Sequence, residues 1–346
     1  MNMMSWNGPE RLRSLIVLGA GASRGASFVH DASCYEARPP LDCDFFSELQ
    51  RLDKADNVKK NVDELLRFVR REFRVDLSLS MEQFFSQVEY TDRFHNETKI
   101  DRGPKILQYQ KALDWFYRSL PILLSQTTEN KNCKYHKQLV TNLHTNDVIL
   151  SFNYDCLIDT ALRDGAGKRW NPKKGYGCRV KSGDLHWCKR TGRGRDTKNS
   201  IALLKLHGSL NWRISKGQVI LRRNSYGASS AKGNIIPPTW FKYLNKDPYK
   251  SVWRRTRREI RKCRALIVIG YSMPSMDLFS HALFKTEISS KIEREDKIEY
   301  LVIANPDPSA RQRFIDLMGD GMGESTRVLQ FDSLRELAHS LRNKNM

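Results

Sequence analysis

The chain has 346 residues, 40% of them hydrophobic, enough for one large core and too apolar for a disordered chain. No apolar run reaches the roughly 20 residues of a bilayer span, and the opening MNMMSWNGPERLR lacks the charged-then-apolar order of a secretory signal. With 59 Lys and Arg against 39 Asp and Glu, the net charge is +20. That excess favours nucleic acid, an acidic partner or a phosphate-rich ligand, and equally describes a generally basic surface. The seven cysteines are scattered with no CxxC pair, as in a reduced, cytoplasmic protein without membrane contact.

In chain order, Ser14 to Leu18 form a short apolar run ending in a Gly-rich turn, the pattern of a buried parallel strand. After a mixed loop, residues 42 to 145 read as helical. Val58, Val62, Leu65, Val69 and Phe73 recur at helical spacing after Asp56 and Asn57, and Ser80 with Gln83 forms a capping box before MEQFFSQVEY. A third helix covers ILQYQKALDWFYRSL, and a shorter one HKQLVTNL. Strand-length runs then return in DVILSF, IALLKLHG, RALIVIGYS, EYLVIANP and TRVLQF. Helical patterns follow several of them: Cys156 to Arg163, Met276 to Ile288, Ser309 to Leu317 and Ser333 to Leu341.

Such alternation implies an α/β fold, a Rossmann-like parallel sheet with helices on both faces. The expected organisation is a single domain: a core from residues 10–40 and 145–346, with residues 41–144 as an inserted helical subdomain. Residues 164–200, basic and Gly-rich, and 213–250, with a hairpin and Pro237-Pro238, break the pattern as loops or small subdomains.

Three constellations sit just past predicted strands, at the edge where parallel sheets place ligands. In LIVLGAGASRGAS, Gly19, Ala20, Gly21 and Ser23 make a strand-to-helix turn suited to a dinucleotide phosphate. Arg24 stands where an ordinary dinucleotide fingerprint has its third glycine. In SFNYD, Ser151, Asn153 and Asp155 follow the second strand; in KLHGS, His207 follows another. Each has a plain structural alternative: a tight turn, a helix cap, a strand-end histidine.

GAGAS, SFNYD, KLHGS, VIGYSMPSMD and VIANPDP occur in the order and approximate spacing of sirtuin-like proteins. The chain most resembles the prokaryotic sirtuin-like NAD-hydrolysing effectors, over about half its length. The resemblance implies an NAD pyrophosphate turn at GAGAS and a counterpart of the TQNID motif at SFNYD, with Phe152 in place of glutamine. It places His207 on the catalytic histidine, Gly270 and Ser272 in the GTS-like segment, and Asn305 at the adenosine ribose. PPLDCDFF resembles the family's PDF segment through Asp44 and Phe45. Sirtuin deacylases carry a zinc ribbon of two CxxC pairs, which this chain lacks. Cys133, His136, Cys178, His186 and Cys188 do not have the spacing of a structural zinc site, so no metal ligand and no zinc are expected.

The expected activity is hydrolysis of NAD to nicotinamide and ADP-ribose, with NAD as substrate. Asn153 would position water and the ribose hydroxyls. His207, an imidazole with a reference pKa of about 6.5, would be general base, and Asp155 would bind the carboxamide or the developing cation. Two other classes stay open: a nucleic-acid-binding or nuclease component, and a protein deacylase or ADP-ribosyltransferase. For the former, WRRTRREIRKCR and the loop with Arg179, Lys181, Lys189, Arg190, Arg193 and Arg195 supply cations. The resemblance further implies anti-phage defence by NAD depletion. The implied partners are a homo-oligomer or a separately encoded HerA-type ATPase, Argonaute-like or STAND-type sensor.

Overall fold

A computed structural model describes residues 12–30, 33, 35–52, 56–75, 77–98, 104–187, 200–223, 231–238, 244–274, 277–292 and 297–342. The chain opens with β1 (Ser14–Leu18) and the short α1 (Ala20–Arg24). Helices follow: α2 (Phe45–Gln50), α3 (Asp56–Phe73), α4 (Met81–Thr98), α5 (Pro104–Thr128) and α6 (Lys134–Thr141). Then come β2 (Val148–Ser151), α7 (Leu157–Gly165), α8 (Pro172–Gly175), β3 (Val180–Gly183), β4 (Ala202–Lys205), β5 (Trp212–Ser215) and β6 (Gln218–Leu221). The last part holds α9 (Tyr249–Lys262), β7 (Ala265–Ile269), α10 (Leu278–Ile292), β8 (Ile298–Ala304), α11 (Pro308–Met318), β9 (Met322–Phe331) and α12 (Leu334–Arg342).

Six strands form one parallel sheet in the order β4-β2-β1-β7-β8-β9. Every residue of β1, β2, β4 and β7 is buried. Burial on both faces is why these segments read as unbroken apolar runs. Numbered by chain order within the sheet alone, the strands run 3-2-1-4-5-6, the dinucleotide-fold order that reverses direction between its first and fourth strands. Here that switch point lies between β1 and β7. The expected α/β Rossmann-like sheet is the fold observed.

The helices between β1 and β2 carry an aromatic cluster that is continuous with the core of the sheet. Phe45, Phe46, Phe68, Phe84, Phe85 and Phe116 are all essentially buried, and their rings meet mostly edge to face, as Phe85 and Phe116 do at 4.4 Å between centroids. The stripe on α3 is realised by Val62, Leu65 and Val69; the side chain of Val58 lies outside the described residues. The helix predicted over ILQYQKALDWFYRSL continues past Leu120 through Pro121 to Thr128. A proline lacks the N–H that would reach the carbonyl of Tyr117. The Ala231 N–H donates to that carbonyl instead, at 2.8 Å, so the helix passes the proline with its acceptor satisfied.

The expected hairpin is β5–β6, turned at Lys216 and Gly217, both with positive φ, the two-residue geometry that matches strand twist. β3 pairs with β6 to complete a small second sheet. On α9, Trp253, Thr256 and Ile260 are buried, as is Cys263 just beyond it, as their spacing requires. Much of the helix's positive charge is spent within the chain. Arg257 and Arg261 both hold the buried Glu287 of α10, and Arg255 pairs with Glu259. Lys189, Arg190, Arg193 and Arg195, and the start of the predicted helix at Met276, lie outside the described residues.

Candidate functional site

Parallel register sets the last residues of five strands in one row: Lys205, Ser151, Leu18, Ile269 and Ala304. The proposed site residues follow directly: Gly19, Gly270 and Asn305 one position beyond that row, Asn153 and His207 two beyond. All therefore share the carboxyl edge of the sheet.

At the switch point the turns after β1 and β7 cross in direct backbone contact. The Gly19 N–H donates to the Ile269 carbonyl and the Gly21 N–H to that of Gly270, at 3.0 and 2.8 Å. A Cβ on Gly19 would lie 2.5 Å from the Tyr271 Cα, and one on Gly21 2.8 Å from the Gly270 Cα. The glycines are thus required first by this crossing. It also takes the Gly21 N–H, while the Ala22 N–H bonds back to Gly19. No hydrogen bond among the described residues takes the Ala20 N–H, which leaves it as the donor of the turn. Arg24 bonds the Pro39 carbonyl and pairs with Asp44 and the buried Glu48. It ties α1 to α2, a structural use for the residue that replaces a third glycine.

Ser23, Asn153 and Asp155 form one hydrogen-bonded unit. The Asn153 amide donates to the Gly19 carbonyl at 2.8 Å and to Ser23 Oγ at 3.0 Å. Ser23 Oγ donates to Asp155 Oδ2 at 2.7 Å, and Asp155 Oδ1 accepts the Leu157 N–H at the start of α7. Asp155 is buried and its carboxylate is spent on Ser23 and the helix cap. Both donors of Asn153 are fixed, and its Oδ1 has no partner among the described residues. Ser151 Oγ accepts from the Asn153 N–H.

His207 packs edge-on against Phe152, centroids 5.3 Å apart, and beside Tyr154. Phe152 stacks in turn on Tyr271 at 4.1 Å, interplanar angle 6°. The aromatic residue that replaces glutamine therefore braces the ends of β2, β4 and β7 against each other. Ser272 accepts two bonds at its carbonyl from Arg313, and Asn305 closes its own loop by accepting from the Asp307 N–H.

Sequence reasoning passed over what lies beneath. Lys205 and Asp159 are fully buried and paired at 3.4 Å, and Lys205 Nζ also donates to the Asp155 carbonyl at 2.5 Å. Tyr176 and Asn211 donate to Asp159. A lysine in an apolar strand, ALLK, was the available signal, since an unpaired cation is not buried there. Asp159→Ala strands the Lys205 charge and is expected to cost about 3–5 kcal/mol, measured by urea unfolding; Asp159→Asn with Lys205→Met is expected to recover much of it.

Behind Ser23, Cys133 caps α6 and its Sγ accepts the Ser27 N–H at 3.4 Å. Burial disfavours the thiolate, yet the charge of His136 and hydrogen bonds from it and from Ser27 pull Cys133 down to about 6. Burial likewise opposes charge on His136, but Cys133 and then Asp155 hold its pKa up. The thiolate therefore contributes stability above the unfolded cysteine pKa and loses it as pH falls through about 6. His136 contributes at low pH and loses its contribution as pH rises through its raised value. Thiolate absorbance is expected to titrate with a midpoint of about 6, absent in Cys133→Ser and shifted up in His136→Asn; titration only at the ordinary cysteine value of about 8.5 contradicts the pair. Cys178 is instead pushed up to about 12 by burial. Cys34 and Cys188 lie outside the described residues, among which no three His, Cys, Asp or Glu groups are placed to hold a metal.

A six-stranded parallel sheet in this order, with two glycine turns crossing at its switch point, defines a Rossmann-type protein whose ligand edge is the row described above. The chain belongs to the SIR2-like domain family, whose model matches residues 147–319, half its length. That span contains β2, β4, β7 and β8; β1 and its glycine turn lie outside it. SIR2-like domains use NAD, so the family points to NAD-related activity. No curated protein matches the chain. Among the described residues no helix is long and apolar enough to cross a membrane.

Proposed function

We propose that this protein is an NAD glycohydrolase, cleaving NAD with water to nicotinamide, ADP-ribose and a proton. The supporting observation is the union of the switch-point turn with Asn153 through Gly19 and Ser23, with His207 at the same level of the neighbouring strand. The residues fit a dinucleotide. The Ala20 N–H opens a turn at the switch-point crevice, and Asn153 has a fixed amide with an open acceptor.

Nicotinamide leaves as a neutral molecule from a cationic ring, so little acid assistance is needed on that side. The protein must instead support positive charge at the anomeric carbon and deliver water to it. Asn153 Oδ1 would accept from a ribose hydroxyl or from that water. His207 would take the proton released as the water attacks. Asp155, engaged with Ser23 and α7, acts as a positioning residue: it holds Ser23, which holds Asn153. Gly270, Ser272 and Asn305 would take the adenosine half.

The lack of a CxxC pair favours hydrolysis over acyl-lysine chemistry. We extend the proposal to an effector role in anti-phage defence, with a separately encoded partner or further copies of the chain setting activity. Chromatography of NAD incubated with purified protein, with and without nucleic acid, tests the reading. Equimolar nicotinamide and ADP-ribose are expected; intact NAD throughout, or turnover only with an acylated peptide, overturns it.

A further inference from the structure

A groove of about 650 Å³ runs between α3 and α5, lined by none of the residues named at the carboxyl edge of the sheet. Lys60, Arg67, Arg71, Lys111 and Arg118 line it, against Glu64 and Asp114. Both acids are already occupied: Glu64 by Arg67 at 3.0 Å and Asp114 by Lys232 at 2.9 Å. Lys60, Lys111 and Arg118 are exposed and form no ion pair or hydrogen bond among the described residues.

The floor between the cations is aromatic. Phe68 is buried and Trp115 is half-buried, their rings 6.5 Å apart and edge to face. The Arg71 guanidinium lies 5.8 Å from the centre of the Phe68 ring and bonds Gln108 across the groove. Lys60 to Arg71 spans eleven residues of one helix face, roughly 16 Å at helical rise.

We propose that this groove binds single-stranded nucleic acid. Unspent cations along both walls suit a phosphate backbone, and an accessible indole between them offers a base a stacking surface. A duplex keeps its bases inside, and the carboxylate side chains of an acidic peptide have no ring to stack on the indole. On α9, Arg255, Arg257 and Arg261 are paired within the chain, as Arg67 and Arg71 are here with Glu64 and Glu72, but its indole, Trp253, is buried with its N–H on the Leu206 carbonyl. This assignment does not depend on NAD cleavage and is read without NAD present.

Fluorescence anisotropy with a labelled oligothymidylate of about fifteen nucleotides tests it across a salt series. Lys60→Glu combined with Lys111→Glu and Arg118→Glu is expected to weaken binding more than tenfold. The same variant should flatten the salt slope by about 2, or roughly 0.7 per lost phosphate contact. Arg254→Glu with Arg258→Glu should leave Kd within about twofold. Trp115→Ala should cost about tenfold and Trp115→Phe much less, a stacking readout that charge alone does not produce. The proposal is overturned if the parent fails to bind at low salt, or if the groove and α9 variants lose binding equally. It is also overturned if polyglutamate displaces the oligonucleotide equally well and Trp115→Ala binds like the parent.

Discussion

Replacing His207 by Asn is expected to lower nicotinamide release from NAD by about 10²- to 10⁴-fold, the usual contribution of a positioned general base, while the protein stays folded. Backbone interactions at this position survive the change: the His207 carbonyl accepts from the Ile236 N–H, and Gly208 pairs with Ile235 whatever the side chain. What is lost is an imidazole at the carboxyl edge, beside the Phe152 ring that leads to Tyr271. Initial rates with saturating NAD, together with a melting curve, check the expectation. Activity within a fewfold of the parent would remove His207 from the chemistry and leave it as a strand-end packing residue.

Gly270→Ala is expected to destabilise the fold by about 3 kcal/mol or more, since strain and a backbone collision coincide there. Gly270 has φ of +58, and a Cβ on it would lie 2.1 Å from the Ala22 nitrogen and 2.3 Å from the Gly21 carbonyl carbon. Neither atom can rotate away. The two turns would have to part, taking with them the Gly21 to Gly270 hydrogen bond and the Asn153 anchor at Gly19. Gly319→Ala is the control, because nothing lies within 4 Å of its Cβ position and its φ is −40. Urea unfolding should show that control within about 0.5 kcal/mol of the parent. Equal stability of the two variants would mean that the crossing is not tight.

The fold class was legible because strands buried on both faces leave continuous apolar runs, and SLIVL, VILS, ALLK and ALIVI are such runs. Strand order was not, because no local pattern records which strand lies beside β1. It took the register of β1 against both β2 and β7 to place the switch point. The glycines of GAGAS were visible, but half their reason lies 250 residues away at Gly270. Asn153 and Asp155 were visible as polar residues after a strand; their junction through Ser23 was not. Lys205 went unread because its partner, Asp159, lies on another element, α7; Cys133 and His136, only three residues apart, were weighed as metal ligands and not as a charged pair. Nor could charge counting show which arginines of α9 are engaged: Arg255 answers Glu259, and Arg257 and Arg261 answer Glu287.

The central claim is that the carboxyl edge holding Asn153 and His207 directs water onto NAD. Turnover in heavy-oxygen water, followed by mass spectrometry of the ADP-ribose, tests it most directly. The account predicts one solvent oxygen in each ADP-ribose formed, with nicotinamide in equal amount and both products lost in the His207→Asn protein. Nicotinamide released with the ADP-ribose unit carried on a protein, an acyl group or a nucleic acid, and no solvent oxygen incorporated, would contradict it.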